Sequence, residues 1–450
     1  MSENKSLAIT KAHNEKSAVL PNGKTISLDT RETRLNNNML VIAGSGAGKT
    51  RSVVVPNILA ASGSYIVSDT KGNLYSKWSD VMSRQGYNIL HLNLIHPELS
   101  DHYNPLSCVR TPNEVQKFAH QLIYAGSERG GSYDPFWDRA SELLLTAITG
   151  YLAERRQLGE RSNFNDISVI LSEIDVEKWE CNESCEIDFR FNSFREKYRR
   201  ITGDHSWAYK QFRKFCQVPK KTMSCIIITL QTILSDLDTL EIRTMLSRND
   251  IDISSLGLIP TIVFVEISDT DRSKDTLANI FYSQAMNLLC SYADECCSDS
   301  RLPVPVRFIL DDFGTNCRID GFQNMISNIR SRDISAMIIL QSTTQLVAGY
   351  SDSAHTIIDN CDTMIYMGGN DTETAQMVSV RCNKPLSKIL SMPVGTNWII
   401  RRGEQPEFSQ TIDLSGYDIS ELGDHPAKGH RNQQQTKDDQ KQESSKDNRS

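Results

Sequence analysis

Long apolar runs are missing from this chain of 450 residues. The longest, Cys225–Leu230 and Ile259–Ile267, fall well short of the roughly 18–20 apolar residues that a bilayer-spanning helix needs. Met1–Lys16 has no apolar core, so no secretory signal is expected there. The 11 cysteines are odd in number and follow no repeating pattern. They read as reduced thiols of a cytosolic protein rather than a disulfide framework. Cys181 and Cys185 lack a second Cys/His pair at metal-binding spacing, and Cys296–Cys297 are merely adjacent, so no metal site is expected from them. An excess of positive charge is missing too. Lys and Arg number 49 against 56 Asp and Glu, a net charge of −7. That excludes a histone-like nucleic-acid binder and leaves room for a local basic surface. From Ala427 to Ser450 there is no Val, Ile, Leu, Met, Phe, Trp, Tyr or Cys. Such a segment cannot bury enough surface to offset its ordering entropy, so residues 427–450 read as a disordered tail.

Elsewhere the chain has what a folded protein needs. It carries 14 Phe, 14 Tyr and 5 Trp, and its length allows two or three domains. Residues 1–34 are mostly polar, with one apolar patch at Ser17–Leu20. Strands are then expected at Met39–Ile42, Ser64–Val67 and Asn88–Leu92, alternating with helical stretches. That alternation points to a parallel α/β sheet, whose first part covers residues 35–110. Residues 111–250 change to helical spacing, as in Glu114–Tyr124, Phe136–Glu154, Phe164–Leu171 and Phe189–Arg200, and read as a mostly helical insertion. Its stretch Arg190–Lys221 interleaves cations with Phe191, Phe194, Tyr198, Trp207, Tyr209 and Phe212. Strand signals resume at Thr261–Ile267, Arg307–Leu310, Ser335–Leu340, Thr363–Met367 and Trp398–Arg401, so residues 251–426 complete the sheet.

The strongest chemical signal is Ala43-Gly44-Ser45-Gly46-Ala47-Gly48-Lys49-Thr50, between a strand and a helix. In that context glycines let backbone N–H groups turn inward around phosphates, and the helix adds its positive end. Lys49 is expected to reach the β- and γ-phosphates of ATP, and Thr50 to ligate Mg²⁺. The first position of the strict pattern is Ala43, which is tolerable if its φ is negative. Asp311 and Asp312 follow the apolar run Arg307–Leu310, so they should emerge at the sheet edge where ligands bind. Asp311 is expected to hold the metal, and Asp312 to orient or deprotonate the attacking water. Gln341, at the end of another apolar run, is the candidate γ-phosphate sensor. Arg332, with Arg330 beside it, is the candidate cation supplied to a neighbouring subunit.

These segments together resemble the conjugal DNA-transfer coupling ATPases of the TraG/TraD class, especially those of Gram-positive conjugative elements. The resemblance rests on Leu40–Thr50, Pro56-Asn57, Ser68–Tyr75, Tyr103–Leu106, Asp134–Trp137, Arg307–Gly314, Ile329–Arg332, Leu340–Ser342 with Gln345-Leu346, and Asn360–Asp362. It implies a RecA-like P-loop NTPase core with an inserted all-α domain, assembled as a homo-hexamer. It also implies ATP-driven transfer of single-stranded DNA, with its attached relaxase, into a type IV secretion channel, the helical insertion meeting the relaxosome. Within that resemblance Asp69 and Lys71 belong to a motif at the catalytic edge, expected to support the phosphate loop or a subunit contact.

Three departures stand out. Family members usually begin with transmembrane helices and this chain shows none, which implies a cytoplasmic protein reaching the membrane through a partner. The usual Asp-Glu pair is Asp311-Asp312. Arg381-Cys382-Asn383-Lys384 stands where a glycine-containing turn is more typical. The first and second departures keep a different reading open, a nucleotide-binding adaptor that recruits the relaxosome or effectors to a separate motor. A cytosolic motor similar to HerA-type translocases shares the core, but segments such as Asp134–Trp137 argue against it.

Overall fold

The computed structural model describes residues 16–124, 134–174, 176, 190, 206–316 and 319–412. Its strands in chain order are β1 Ser17–Val19, β2 Thr25–Ser27, β3 Met39–Ile42, β4 Ser64–Asp69, β5 Asn88–Asn93, β6 Thr261–Glu266, β7 Val306–Leu310, β8 Ile334–Leu340, β9 Thr363–Tyr366, β10 Thr396–Arg401 and β11 Glu407–Gln410. β1 and β2 form an antiparallel hairpin, and the other strands form a nine-stranded sheet ordered β11-β10-β9-β3-β8-β7-β4-β6-β5. From β9 to β5 all neighbours are parallel. β10 and β11 extend the β9 edge as antiparallel strands.

The central strands are continuous apolar runs because both faces of a parallel sheet are covered. Side chains alternate between the two. Leu40, Ile42, Phe308, Leu310, Ile338 and Leu340 face one cluster, shared with the long helix Asp275–Cys296 and the helical insertion. Met39, Val41, Ile309, Met337 and Ile339 face the other, with Val53, Ile58 and Met82 from the helices after the phosphate loop and β4. The pattern in sequence carried these strands. It did not mark β1, β2 or β11 as strands: all three are short, β2 and β11 are largely polar, and the apolar patch that holds β1 spans only Ser17–Leu20. The expected purely parallel sheet is therefore mixed at one edge.

Between β5 and β6 the chain runs through the helices Pro112–Tyr124, Phe136–Gln157, Asn165–Ser172, Trp207–Phe215, Lys220–Leu234 and Leu240–Met245. Glu154, buried in the longest of these, accepts from Ser206 Oγ (2.7 Å) and from the Ala208 N–H (3.1 Å), and so ties down the start of the helix Trp207–Phe215. That helix turns Ala208, Phe212 and Phe215 inward and leaves Lys210, Arg213 and Lys214 exposed. Its aromatics therefore pack and its cations form a solvated stripe. Of the segment Phe189–Arg200, all but Arg190 lies outside the described residues, as do Cys181, Cys185 and residues 427–450. No helix among the described residues is long and apolar enough to cross a membrane.

Candidate nucleotide site

β3 lies between β8 and β9, and β7 lies just beyond β8. The carboxyl ends of these strands therefore open along one edge, where α/β sheets place ligands. The loop leaving β3 is pinned on both sides. Ala43 N–H donates to Leu340 O (2.9 Å) at the end of β8, and Gly44 N–H to Gly368 O (2.8 Å) beyond β9. Ala43 is fully buried and is not among the non-glycine residues with positive φ, which is the condition for Ala at that position. Gly46 and Gly48 hold φ of 77° and 83°, a region side-chain-bearing residues enter only at a cost. Ala47 packs against the apolar cluster beneath the loop. The helix then starts with Ser52 N–H on Gly48 O (2.9 Å) and a widened first turn, Thr50–Val54, in which the Val55 N–H reaches Thr50 O.

Asp311 and Asp312 sit at the end of β7. Ser68 of β4 fixes the turn, its Oγ accepting from the Asp311 N–H (2.6 Å) and donating to Asp311 O (3.2 Å). The Lys49 ammonium crosses the end of β8 to lie 3.2 Å from Asp311 Oδ1 and 2.8 Å from Asp312 Oδ1. Burial works against the Lys49 charge, but the two carboxylates outweigh it and hold the ammonium above its ordinary range. Burial also pushes the Asp311 carboxyl upward, against the pull of Lys49, and the neighbouring Asp312 adds to the rise. Asp312 has φ of 51°, a left-handed conformation that Asp tolerates better than most residues.

An open cavity of about 480 Å³ spans this edge, lined by Ser45, Gly46, Lys49, Thr50, Asp312 and Gln341 among others. Gln341 Nε2 donates to Asp312 Oδ1 at 3.5 Å. The sequence reading gave no role to Gln345, whose Oε1 accepts from the Gln341 N–H (3.0 Å) and which lines the same cavity. Arg51 and Asp269 line it too and were also missed. The signal for Asp269 was available, since it follows the apolar β6 much as Asp311 follows β7. Lys71 reaches the cavity and stands 3.9 Å from Asp269. Asp69 does not. Its two oxygens accept from the N–H groups of Lys71, Asn73, Leu74 and Tyr75 at 2.7–3.4 Å, so it shapes the turn into the helix Asn73–Arg84. Arg332 is also not part of this chain's cavity. It precedes β8, whereas Gln341 follows it, and the seven residues of β8 separate them by roughly 23 Å. Its guanidinium pairs with Asp294 at 2.9 and 2.7 Å.

No group of three or more His, Cys, Asp or Glu among the described residues is arranged to hold a metal ion. Thr50, which lines the cavity, and Asp311, held against Lys49, carry the oxygen donors proposed for Mg²⁺, which is commonly bound by one or two protein oxygens with waters and phosphates completing its shell. The capture of the Lys49 ammonium by both acids shows that this corner collects cations.

A glycine-rich loop bedded between β8 and β9, facing acids at the end of β7, defines a P-loop NTPase fold of RecA-like type with an inserted all-α domain. The chain belongs to the family described as type IV secretory system conjugative DNA transfer, which matches residues 1–385. It is 24% identical over 360 residues to the protein VirD4 of Rhizobium radiobacter, covering 76% of this chain and 47% of that protein. To the conjugal transfer protein TraG of Escherichia coli it is 20% identical over 360 residues, covering 76% and 54%. The chain thus spans about half the length of the curated relatives it matches. Among solved structures it is similar to the conjugative coupling protein TrwBdeltaN70 in complex with sulphate, with a TM-score of 0.60, 14% identity, and coverage of 90% of this chain and 92% of that one. TrwB in complex with ADP and Mg²⁺ gives a TM-score of 0.58 at 15% identity, covering 90% and 92%.

Proposed function

We propose that this chain is an ATP-driven DNA translocase that couples relaxase-bound single-stranded DNA to a type IV secretion channel. The observation that carries the reading is Lys49 placed against Asp311 and Asp312 across the end of β8, in a chain of the conjugative DNA-transfer family. Lys49 and the loop N–H groups contact the phosphates of ATP. Thr50 and Asp311 hold Mg²⁺, which when bound neutralises charge on the phosphates. Asp312 orients the attacking water and takes its proton, while Gln341, braced by Gln345, reports on the γ-phosphate. The TrwB structures with ADP and Mg²⁺ and with a non-hydrolysable ATP analogue support the choice of nucleotide and metal.

Arg332 lies at the other end of β8 from this chain's cavity, so a role in hydrolysis would be toward a neighbouring copy. The proposed assembly is accordingly a homo-hexamer, with Arg332 as the cation supplied between subunits. The helical insertion, with its exposed Lys210, Arg213 and Lys214, is the proposed contact with relaxosome DNA. The proposed location is the cytoplasmic face of the membrane. A second reading, a nucleotide-binding adaptor serving a separate motor, draws on Asp312 in place of Glu, with its carboxylate engaged by Lys49 at 2.8 Å. Measuring ATP hydrolysis with and without single- and double-stranded DNA, alongside solution mass, separates the two. DNA-stimulated turnover by a ring-sized species is expected; nucleotide binding without turnover would leave only the adaptor.

A further inference from the structure

At the opposite edge of the sheet, at the amino ends of β4, β7 and β8, lies a second cavity of about 670 Å³. Tyr65, Arg307 and Ser335 line its inner wall. Arg307 interrupts an otherwise apolar strand and is 5% exposed. Its Nε–H donates to Ser335 Oγ at 3.3 Å, and its Nη1 donates to Asn57 Oδ1 at 3.3 Å. Both acceptors are neutral. The described residues provide it with no ion-pair partner: the carboxylates lining the cavity are engaged elsewhere. Asp29 caps the Arg31 N–H (2.8 Å), Asp299 pairs with the Arg31 guanidinium (3.3 Å), and Asp333 pairs with Arg301 (2.6 Å). Lys16, at the rim, adds a further positive charge.

A buried guanidinium without a counter-charge is costly, and a nearby anion removes that cost. Burial already presses the Arg307 guanidinium below its ordinary range. We propose that this rear cavity is an oxyanion site that takes a phosphate group, with Arg307 as its principal ligand. The planar fork of Arg matches two oxygens of one phosphate, a fit that a spherical halide does not offer. The site is joined to the front one through shared elements. Arg307 lies on β7 upstream of Asp311, and Asn57 lies on the helix that follows the phosphate loop.

The test must separate this site from the phosphate loop, so it uses the full chain carrying Lys49→Ala, with and without Arg307→Met. Thermal unfolding and calorimetric titration are run with inorganic phosphate, with ADP, and with chloride at matched ionic strength. Phosphate is expected to raise the melting temperature of the Lys49→Ala protein, and Arg307→Met is expected to abolish that rise. In chloride the Arg307→Met chain should be at least as stable as its parent, because a buried uncompensated charge has been removed. Dependence of both phosphate and ADP binding on Arg307, with ADP held the more tightly, would identify a nucleotide as the source of the phosphate group. An identical phosphate response with Met at 307, or equal protection by chloride, would overturn the proposal. If Arg307→Met does not fold, Arg307→Lys keeps the charge without the fork. It should weaken phosphate binding through loss of the bidentate contact, and unchanged affinity would count against the site.

Discussion

Lys49 Nζ lies 2.8 Å from Asp312 Oδ1 although 263 positions separate the two residues in the chain. Only the strand order β3-β8-β7 brings them together. The contact brings the proposed phosphate-binding cation and the candidate water-activating acid together in the lining of one cavity. Lys49→Ala should therefore retain the fold and lower ATP turnover at least about 100-fold, the scale of removing one well-placed electrostatic contact from a transition state. Unchanged turnover in a purified, folded variant would show that the site is elsewhere.

Asp312 carries φ of 51°. Left-handed backbone costs most residues about 1–2 kcal/mol, and Asp and Asn visit it most readily. Asp312→Asn should accordingly keep near-normal thermal stability while losing hydrolysis and retaining nucleotide binding. Asp312→Glu restores the commoner acid of the family, yet it should melt earlier because Glu has no such tolerance. A large gain in turnover in that variant would instead favour the adaptor reading of the natural chain.

Arg332 can act only in trans if it acts in hydrolysis at all. Arg332→Ala should abolish turnover in the assembled protein while leaving nucleotide affinity intact. Mixing it with the Lys49→Ala protein should restore part of the activity, since some interfaces then combine an intact loop with an intact Arg332. If mixing restores nothing while the subunits demonstrably co-assemble, Arg332 serves only its ion pair with Asp294.

Asn57 is 1% exposed and has all its polar atoms engaged. Its Oδ1 accepts from Val19 N–H (3.2 Å) and Arg307 (3.3 Å), and its Nδ2 donates to Val19 O and Val53 O (both 2.8 Å). One side chain thus fastens the β1–β2 hairpin and β7 to the helix after the phosphate loop. Asn57→Ala should cost about 2–4 kcal/mol, the range for stranding several buried polar groups. Urea unfolding followed by circular dichroism checks it; a loss below measurement error would show that water replaces those bonds.

Asp311 supplies a pH dependence whose sign follows from burial. Its native carboxyl binds a proton more tightly than in the unfolded chain, where the ordinary value is 3.8. Its contribution to stability is therefore greatest below that value and is lost as pH rises through the higher native one. Asp311→Asn has no such titration. The unfolding free energy of the variant relative to wild type should therefore shift in the variant's favour as pH rises above 3.8, then level off. A difference that shrinks over the same range would mean that Lys49, and not burial, sets the Asp311 proton affinity.

Much of the architecture was readable before any coordinates. β3 and β6 through β9 announced themselves because strands covered on both faces are nearly continuous apolar runs. The phosphate loop was equally plain, since its glycines are required by backbone geometry at fixed spacing. Asn383 was harder. It looked like a departure from a glycine-containing turn, yet it ends the helix Thr372–Cys382 with φ of 50°, the left-handed role that Asn can share with Gly. Gln345 stood among the segments of the family resemblance, but nothing there marked its bond with the Gln341 N–H across a turn.

By itself the sequence determined the strands of the central sheet from β3 to β10 and the presence of a phosphate-binding loop, because these depend on side-chain periodicity and local backbone preference. Tertiary structure alone decided which ends of which strands meet. Strand order brought Lys49 to the acids of β7. At the rear edge the same order left Arg307 buried among neutral partners, a relation no local pattern encodes because it depends on which charges fail to meet.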